Sequence, residues 1–297
     1  MEAETAQTSD YYFANPPKAS LRRGLTWTNR HRVFTMSLVL ILAMGLVAVF
    51  GDSLKTHDQA RIVGRRLQSP SSEHWFGTDN IGRDVFSRII IGSRLTLAVG
   101  IGGGLLGTIL GGALGSVCGF VGGKFDLFVQ RLVDIVLSFP SLVLALALAA
   151  ALGQSTRTVI VAIVIAGIPG ASRVLRSAAI GAAHAQFVEA ARATGATEVR
   201  IFLRYILPHC IPAFTIIASI AIGGAIGLQA ALAFLGIGPP PPAVSWGQMM
   251  SGSTLSYVQA APWLLIAPGL AISLAIYAFN LFGDSLNDLL RPTDRQR

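Results

Sequence analysis

Six long apolar runs separated by polar loops dominate this chain. They cover Val33–Phe50, Leu95–Val121, Ile135–Leu152, Thr158–Ser172, Ile211–Leu235 and Pro262–Phe282. A helix that crosses a bilayer needs roughly 17–25 such residues. The pattern therefore predicts an all-α, polytopic membrane protein with six transmembrane helices. The fourth run is short and carries Pro169, so its C-terminal end is left open. None of the six contains Asp, Glu, Lys, Arg or His, and only Gln229 and Asn280 add amide side chains. Ion-coupled carriers and proton pumps place ionisable groups at mid-membrane despite their cost. Their absence points to energy that enters from outside the bilayer.

Through the second run and just past its end, Gly103, Gly107, Gly111, Gly115, Gly119 and Gly123 recur at every fourth position. Four residues advance a helix by about 400°, so the row forms a slowly winding groove without side chains. Such a groove is a surface for close helix packing. Gly102, Gly104 and Gly107 also match a dinucleotide fingerprint, but they lie inside an apolar span and outside any strand–turn–helix unit, so that match is rejected.

The chain has 297 residues, 52% hydrophobic and 13% charged, with a mean hydropathy of +0.60. Soluble domains carry roughly 25% charged residues. The net charge of +8 does not indicate nucleic-acid binding, because the basic residues lie in loops between apolar runs. Six spans put both termini on one side. With that side cytoplasmic, fifteen of the 23 basic residues fall inside and eight outside. That is the expected bias, although the outer segment 51–94 holds seven of the eight. The first thirty residues are polar, so Val33–Phe50 reads as a retained anchor and not a cleaved leader. The chain divides into an N-terminal cytoplasmic tail (1–32), a first span (33–50), an extracytoplasmic segment (51–94), a core of five spans (95–282) with a cytoplasmic loop at 173–210, and a C-terminal cytoplasmic tail (283–297).

Chemical motifs are sparse. Gly122-Gly123-Lys124 is followed by Phe125, and Cys118 stands where a phosphate-binding loop needs its first glycine. No ATP site is expected. No HExxH or GxSxG spacing occurs, and Cys118 and Cys210 read as separate buried thiols. Asp284 and Asp288 read as a solvated helix end. The expectation is a non-enzyme with no cofactor, metal or catalytic residue of its own. In segment 74–94, Val85, Phe86, Ile89 and Ile90 give a helix with one apolar stripe, predicted to lie flat on the outer membrane surface. Pro239–Pro242 predicts a stiff turn, and Trp246 an anchor at headgroup level.

The most specified loop is Glu189–Pro208, EAARATGATEVRIFLRYILP. Glu189, Ala190, Ala191 and Ala193 favour helix, and Glu189 and Arg192 are spaced to pair. Gly195 suits the left-handed residue after a helix, and Thr197 caps the next helix. Phe202, Tyr205 and Ile206 form an apolar face opposite Arg200 and Arg204, and Pro208 is expected to stop the helix before the fifth span. The residues alone leave two readings: an interfacial hairpin that links two spans, or a docking element.

The pattern EAA, then Gly, then Leu-Pro resembles the signature loop of ATP-binding-cassette importer permeases, the binding-protein-dependent membrane subunits. Residues 74–97 (HWFGTDNIGRDVFSRIIIGSRLTL), 231–250 (ALAFLGIGPPPPAVSWGQMM) and 261–292 (APWLLIAPGLAISLAIYAFNLFGDSLNDLLRP) are similar to the C-type subunits of the dipeptide, oligopeptide and nickel branch. The resemblance runs from about Arg22 to Pro292; residues 1–20 match nothing in it. It implies the type I importer transmembrane fold in the cytoplasmic (inner) membrane. The ATPase-coupling loop would comprise Glu189, Ala190, Ala191, Thr194, Gly195, Ala196, Thr197, Leu207 and Pro208. It further implies a homologous B-type permease subunit, one or two ATPase subunits that hold ATP and Mg, an extracytoplasmic substrate-binding protein and the lipid bilayer as partners. Short peptides are the implied cargo, with nickel, glutathione and haem as alternatives. A channel, an ion-coupled carrier and a membrane scaffold are the rivals from other classes.

Overall fold

A computed structural model describes residues 32–240 and 242–290. The N-terminal tail, apart from Arg32, and residues 291–297 of the C-terminal tail lie outside the described residues, as does Pro241 of the proline turn. Helices form nearly all of what is described. They are α1 (Arg32–Leu54), α2 (Val85–Val121), α3 (Gly123–Leu137), α4 (Ser141–Leu152), α5 (Thr156–Ala183), α6 (Gln186–Ala193), α7 (Glu198–Phe234), the single turn α8 (Trp246–Met249) and α9 (Trp263–Leu290). Among the described residues five helices are long and apolar enough to cross a membrane, or six if α3 and α4 together make one bent span.

The central element is α2. Its glycine row lies directly against α5. A Cβ placed on Gly111, Gly115 or Gly119 would overlap the carbonyl oxygens of Ile168, Ser172 and Arg176 in turn. Gly107 faces the Val164 carbonyl, and Gly103 faces the side chain of Ile163. Both helices thus meet along rows of every fourth residue, backbone to backbone. The row ends at Gly119, because α2 stops at Val121 and Gly123 opens α3 with φ +61°. A second glycine set, Gly100, Gly104 and Gly112, faces Ile226, Ile222 and Phe214 of α7. One helix therefore presents two bare faces to two neighbours. Where lipid tails are as apolar as leucine, this contact is gained through packing and not through burial from water.

The other spans build outward. On α7, Gly223 admits the Asn280 side chain of α9. Phe34 of α1 stacks on Phe282 of α9 at 5.3 Å between ring centroids. Arg94 holds the end of α1. It donates to the carbonyls of Ala48 (2.6 Å) and Val49 (2.8 Å) and pairs with Asp52 at 2.6 Å. The opposite side of α1 keeps Val39, Leu42, Leu46 and Val49 exposed.

Several expectations from the sequence need correction. The run Ile135–Leu152 is not one straight helix; α3 and α4 meet at 86°. Pro140 has no N–H to donate and disfavours helical geometry at the residue before it. The remaining α4 has 12 residues, about 18 Å, too short to span alone. The run Thr158–Ser172 lengthens to the 28 residues of α5, with Pro169 inside it.

The amphipathic stretch near residue 85 is not a separate surface helix. The Asp84 side chain accepts the Ser87 N–H at 2.8 Å and starts one continuous 37-residue helix, in which Val85 and Ile90 are buried. Trp246 is buried instead of anchoring at headgroups: its indole N–H donates to the Ile89 carbonyl at 2.8 Å, and its backbone N–H donates to Thr96 Oγ1 at 3.2 Å.

The glycine contact makes a prediction. Gly115→Val forces a side chain into a backbone carbonyl that cannot move aside, whereas Gly102 has open space around it. Gly115→Val is expected to destabilise by about 3 kcal/mol, the upper end for overpacking. Gly102→Ala should be nearly neutral. Thermal unfolding in detergent, followed by size-exclusion recovery, separates the two.

Candidate functional site

The loop between α5 and α7 is a helical hairpin held on one side by apolar packing. α6 buries Val188 and Ala191, three residues apart, and α7 buries Ile201, Ile206 and Cys210. These meet Leu175, Ala179 and Ala182 of α5 in one cluster, which Phe120 and Phe202 join. The Phe120 and Phe202 rings are 5.4 Å apart, so the end of α2 also touches the hairpin. Phe187 packs beside Tyr205 at 6.3 Å and His209 at 5.8 Å.

The tip is closed by backbone hydrogen bonds. Gly195, at φ +81°, donates to the Arg192 carbonyl at 2.9 Å, and Ala196 donates to the Ala191 carbonyl at 3.1 Å. This pair of bonds is a Schellman motif, and the left-handed residue it needs is the glycine. Thr194 Oγ1 donates to the Ala191 carbonyl at 2.9 Å. Thr197 then caps α7 by accepting the Arg200 N–H at 3.4 Å. A five-residue turn of chain thus has little freedom left.

Two details differ from the sequence expectation. Arg192 does not bond Glu189; it forks onto both carboxylate oxygens of Glu198 at 3.0 and 3.2 Å across the tip. These bonds hold the guanidinium still more firmly protonated. Folding the hairpin brings residue 198 closer than the helical neighbour at 189, which periodicity alone does not reveal.

Pro208 does not end a helix either. The chain widens to a π turn over Phe202–Ile206, with Leu207 N–H bonded to the Phe202 carbonyl five residues back. A proline lacks the N–H for the next bond and crowds the carbonyl four residues earlier. The π turn loosens the ladder at that point, and α7 runs on as 37 residues.

The remaining sequence-singled residues fall in two groups. Glu189, Ala190, Thr194, Gly195 and Thr197 are exposed together at the hairpin tip, with Ala196 half-buried and Ala191 turned inward. Leu207 and Pro208 are exposed too, but they lie about 15 Å farther along α7 from Thr197 and are not part of the tip.

Two ion pairs that sequence reasoning missed fasten α3 to α5 near this loop. Arg176 forks onto Asp126 at 2.6 and 2.5 Å, and Arg173 reaches Asp134 at 2.6 Å. The only signal was two acidic residues on one stretch and two basic residues on another. Asp284 and Asp288 are exposed on α9, and Cys118 and Cys210 are buried free thiols.

The tip is therefore a preformed knob. Its back is welded to α2, α5 and α7, and its outer face carries alanine, glycine and threonine with the Glu189 carboxylate and the Arg192–Glu198 ion pair. Such a surface lets another protein's backbone approach closely.

Residues 84–295 match the family model described as "Binding-protein-dependent transport system inner membrane component". The chain is 37% identical over 296 residues to the dipeptide transport system permease protein DppC of Alkalihalophilus pseudofirmus, covering 98% of this chain and 95% of that one. It is 40% identical over 274 residues to the probable D,D-dipeptide transport system permease protein DdpC of Escherichia coli K12, covering 90% of each. It is 37% identical over 265 residues to the glutathione transport system permease protein GsiD of E. coli O6:K15:H31, covering 89% and 87%.

Among solved structures, an inward-facing MetNI methionine ABC transporter chain shares the fold, with a TM-score of 0.56, 21% identity, and coverage of 67% of this chain and 94% of that one. The α2, α5 and α7 scaffold with its hairpin tip, the family match over 84–295 and these full-length relatives make the chain a member of the binding-protein-dependent transport system inner membrane components, the permease subunits of ABC importers.

Proposed function

We propose that the chain forms half of the translocation path for short peptides, that a homologous permease subunit forms the other half, and that the hairpin tip docks on an ATPase subunit. The observation that carries this reading is the Schellman-locked hairpin, with a small-residue outer face and a back packed into α5 and α7. A push on the tip passes into two spans without first bending a flexible linker. Because no nucleotide motif occurs in the sequence, the work of ATP binding has to arrive through such a contact. Dipeptides, D,D-dipeptides and glutathione, named for the relatives, are all small peptides, so a peptide is the cargo their shared chemistry favours.

The cycle follows from two-state switching. ATP-driven closure of the ATPase pair moves both docked tips, and the spans turn from inward- to outward-facing as rigid bodies. ATP has to bind the two conformations unequally for this to do work. A binding protein delivers peptide on the side opposite the tip. The charge bias supports cytoplasmic placement of the tip and both termini, with segment 55–84 outside.

Reconstitution with ATPase, partner permease and binding protein tests the coupling. Gly195→Pro removes the left-handed residue and its hydrogen bond, Glu189→Lys inverts the acidic group that Arg192 does not bond, and Ala190→Trp adds bulk to an exposed position. Each is expected to insert normally and to lose peptide uptake at least about tenfold, the effect of roughly 1.4 kcal/mol on coupling. Uptake at the wild-type rate in Ala190→Trp, whose fold is undisturbed, would refute the docking assignment.

Sidedness has its own test. A membrane-impermeant maleimide should label Thr194→Cys only in inside-out vesicles and Arg61→Cys only in right-side-out ones. The reverse pattern would invert the topology.

A further inference from the structure

A second polar cluster lies far from the hairpin in sequence and takes no part in the coupling reading. His57, His74 and Asp84 come from the segment that joins α1 to α2. His74 Nδ1 is 3.0 Å from Asp84 Oδ1, and His57 Nδ1 is 4.0 Å from the same oxygen. One donor atom from each residue lies within 4.8 Å of the other two, and the imidazole ring centroids are 5.1 Å apart. Among the described residues this is the one such group of potential metal ligands.

The spacing suits a small cation. A four-coordinate zinc has bonds of about 2.0–2.2 Å to nitrogen and oxygen, which puts neighbouring ligands roughly 3.3–3.5 Å apart. Separations of 3.0 and 4.0 Å to Asp84 bracket that value and the imidazole donor atoms lie within 4.8 Å, so the set closes if the His57 ring turns inward and gives up its 3.1 Å contact with Thr56 Oγ1. The supporting groups are already in place. Asp84 Oδ2 accepts the Ser87 N–H at 2.8 Å and the Thr56 hydroxyl at 3.3 Å, which leaves Oδ1 aimed at the two rings. The His57 backbone N–H donates to Ser87 Oγ at 3.0 Å, fixing that residue's approach. Such outer contacts orient ligands in metal sites.

Hydrogen bonds account for each ring singly: His74 Nδ1 lies 3.0 Å from Asp84 Oδ1, and His57 Nδ1 lies 3.1 Å from Thr56 Oγ1. What they do not require is that both imidazoles gather around one carboxylate oxygen. The His57 side chain is 33% exposed, against 6% for His74 and 0% for Asp84, so the cluster opens to solvent on one side.

We propose that His57, His74 and Asp84 form a three-ligand site for a divalent cation of the zinc class, which pins the start of α2 to the end of α1. Two imidazoles and one carboxylate favour zinc, cobalt, nickel or copper over magnesium and calcium. Water takes the fourth position. The site rests on local geometry alone and stands apart from the transport reading, so either can fail without the other.

The test uses full-length protein without a histidine tag, purified in detergent and stripped with chelator. Titrated Co²⁺ should give the visible absorption of a tetrahedral centre, saturate at about one ion per chain, and be displaced by Zn²⁺. His57→Gln should weaken binding by about tenfold or more while leaving helix content and unfolding temperature unchanged. His209→Gln, at the hairpin, should bind as the wild type does. Zn²⁺ should also slow tryptic cleavage after the exposed Arg61, Arg65 and Arg66 in wild type but not in His57→Gln. No tetrahedral cobalt spectrum, or equal affinity in His57→Gln, overturns the site. Cleavage that zinc does not slow overturns the pinning role.

Discussion

The backbone contact between the glycine row of α2 and the carbonyls of α5 is the constraint on which the rest of this structure depends. Side chains normally keep helix axes 8–10 Å apart. Here Gly111, Gly115 and Gly119 leave no room for even a Cβ against Ile168, Ser172 and Arg176. Dispersion between closely packed atoms is small per pair and large in sum, and in lipid it has to replace the hydrophobic effect that joins helices in water. The seam also fixes the rotation of α5, and so decides which face α5 offers to α7 and the hairpin.

The same packing continues from that seam toward the hairpin. Leu175, Ala179 and Ala182 lie on the same helix as Ile168 and Ser172, farther toward its C-terminal end, and form one wall of the hairpin's core. The fork of Arg176 onto Asp126 fastens α3 at the same level. The tip, the seam and the span are therefore parts of one packed unit. A hairpin with a flexible stalk would absorb a displacement, whereas one whose back is buried against three helices is built to pass it on, as the proposed coupling requires.

Much of this was legible in the sequence because the signals are strong and local. Long charge-free runs mark the spans, the four-residue glycine period marks the seam, and a glycine between two helical stretches marks the hairpin tip. What was not legible depends on three-dimensional neighbours. The break at Pro140 splits a run that hydropathy joins. Pro208 is absorbed by a π turn that no propensity reports. Trp246 looks like an interfacial aromatic until Ile89 and Thr96 are brought beside it. Arg192 finds Glu198 and not Glu189 only because the chain reverses at Gly195. The ligand-like trio of His57, His74 and Asp84 is spread over 28 positions, and only the turn-rich segment between α1 and α2 gathers it.

The central claim is that the hairpin and its spans move as one body when ATP binds. Pulsed electron–electron resonance on spin labels at Ala193 and Leu110, both exposed, tests it in the reconstituted importer. The account predicts the same Ala193–Leu110 distance in nucleotide-free and ATP-trapped states, while the distance between Leu110 and a label on the partner permease changes. A shift within this chain with no change between the two permeases would contradict it, because the tip would then flex without moving the spans.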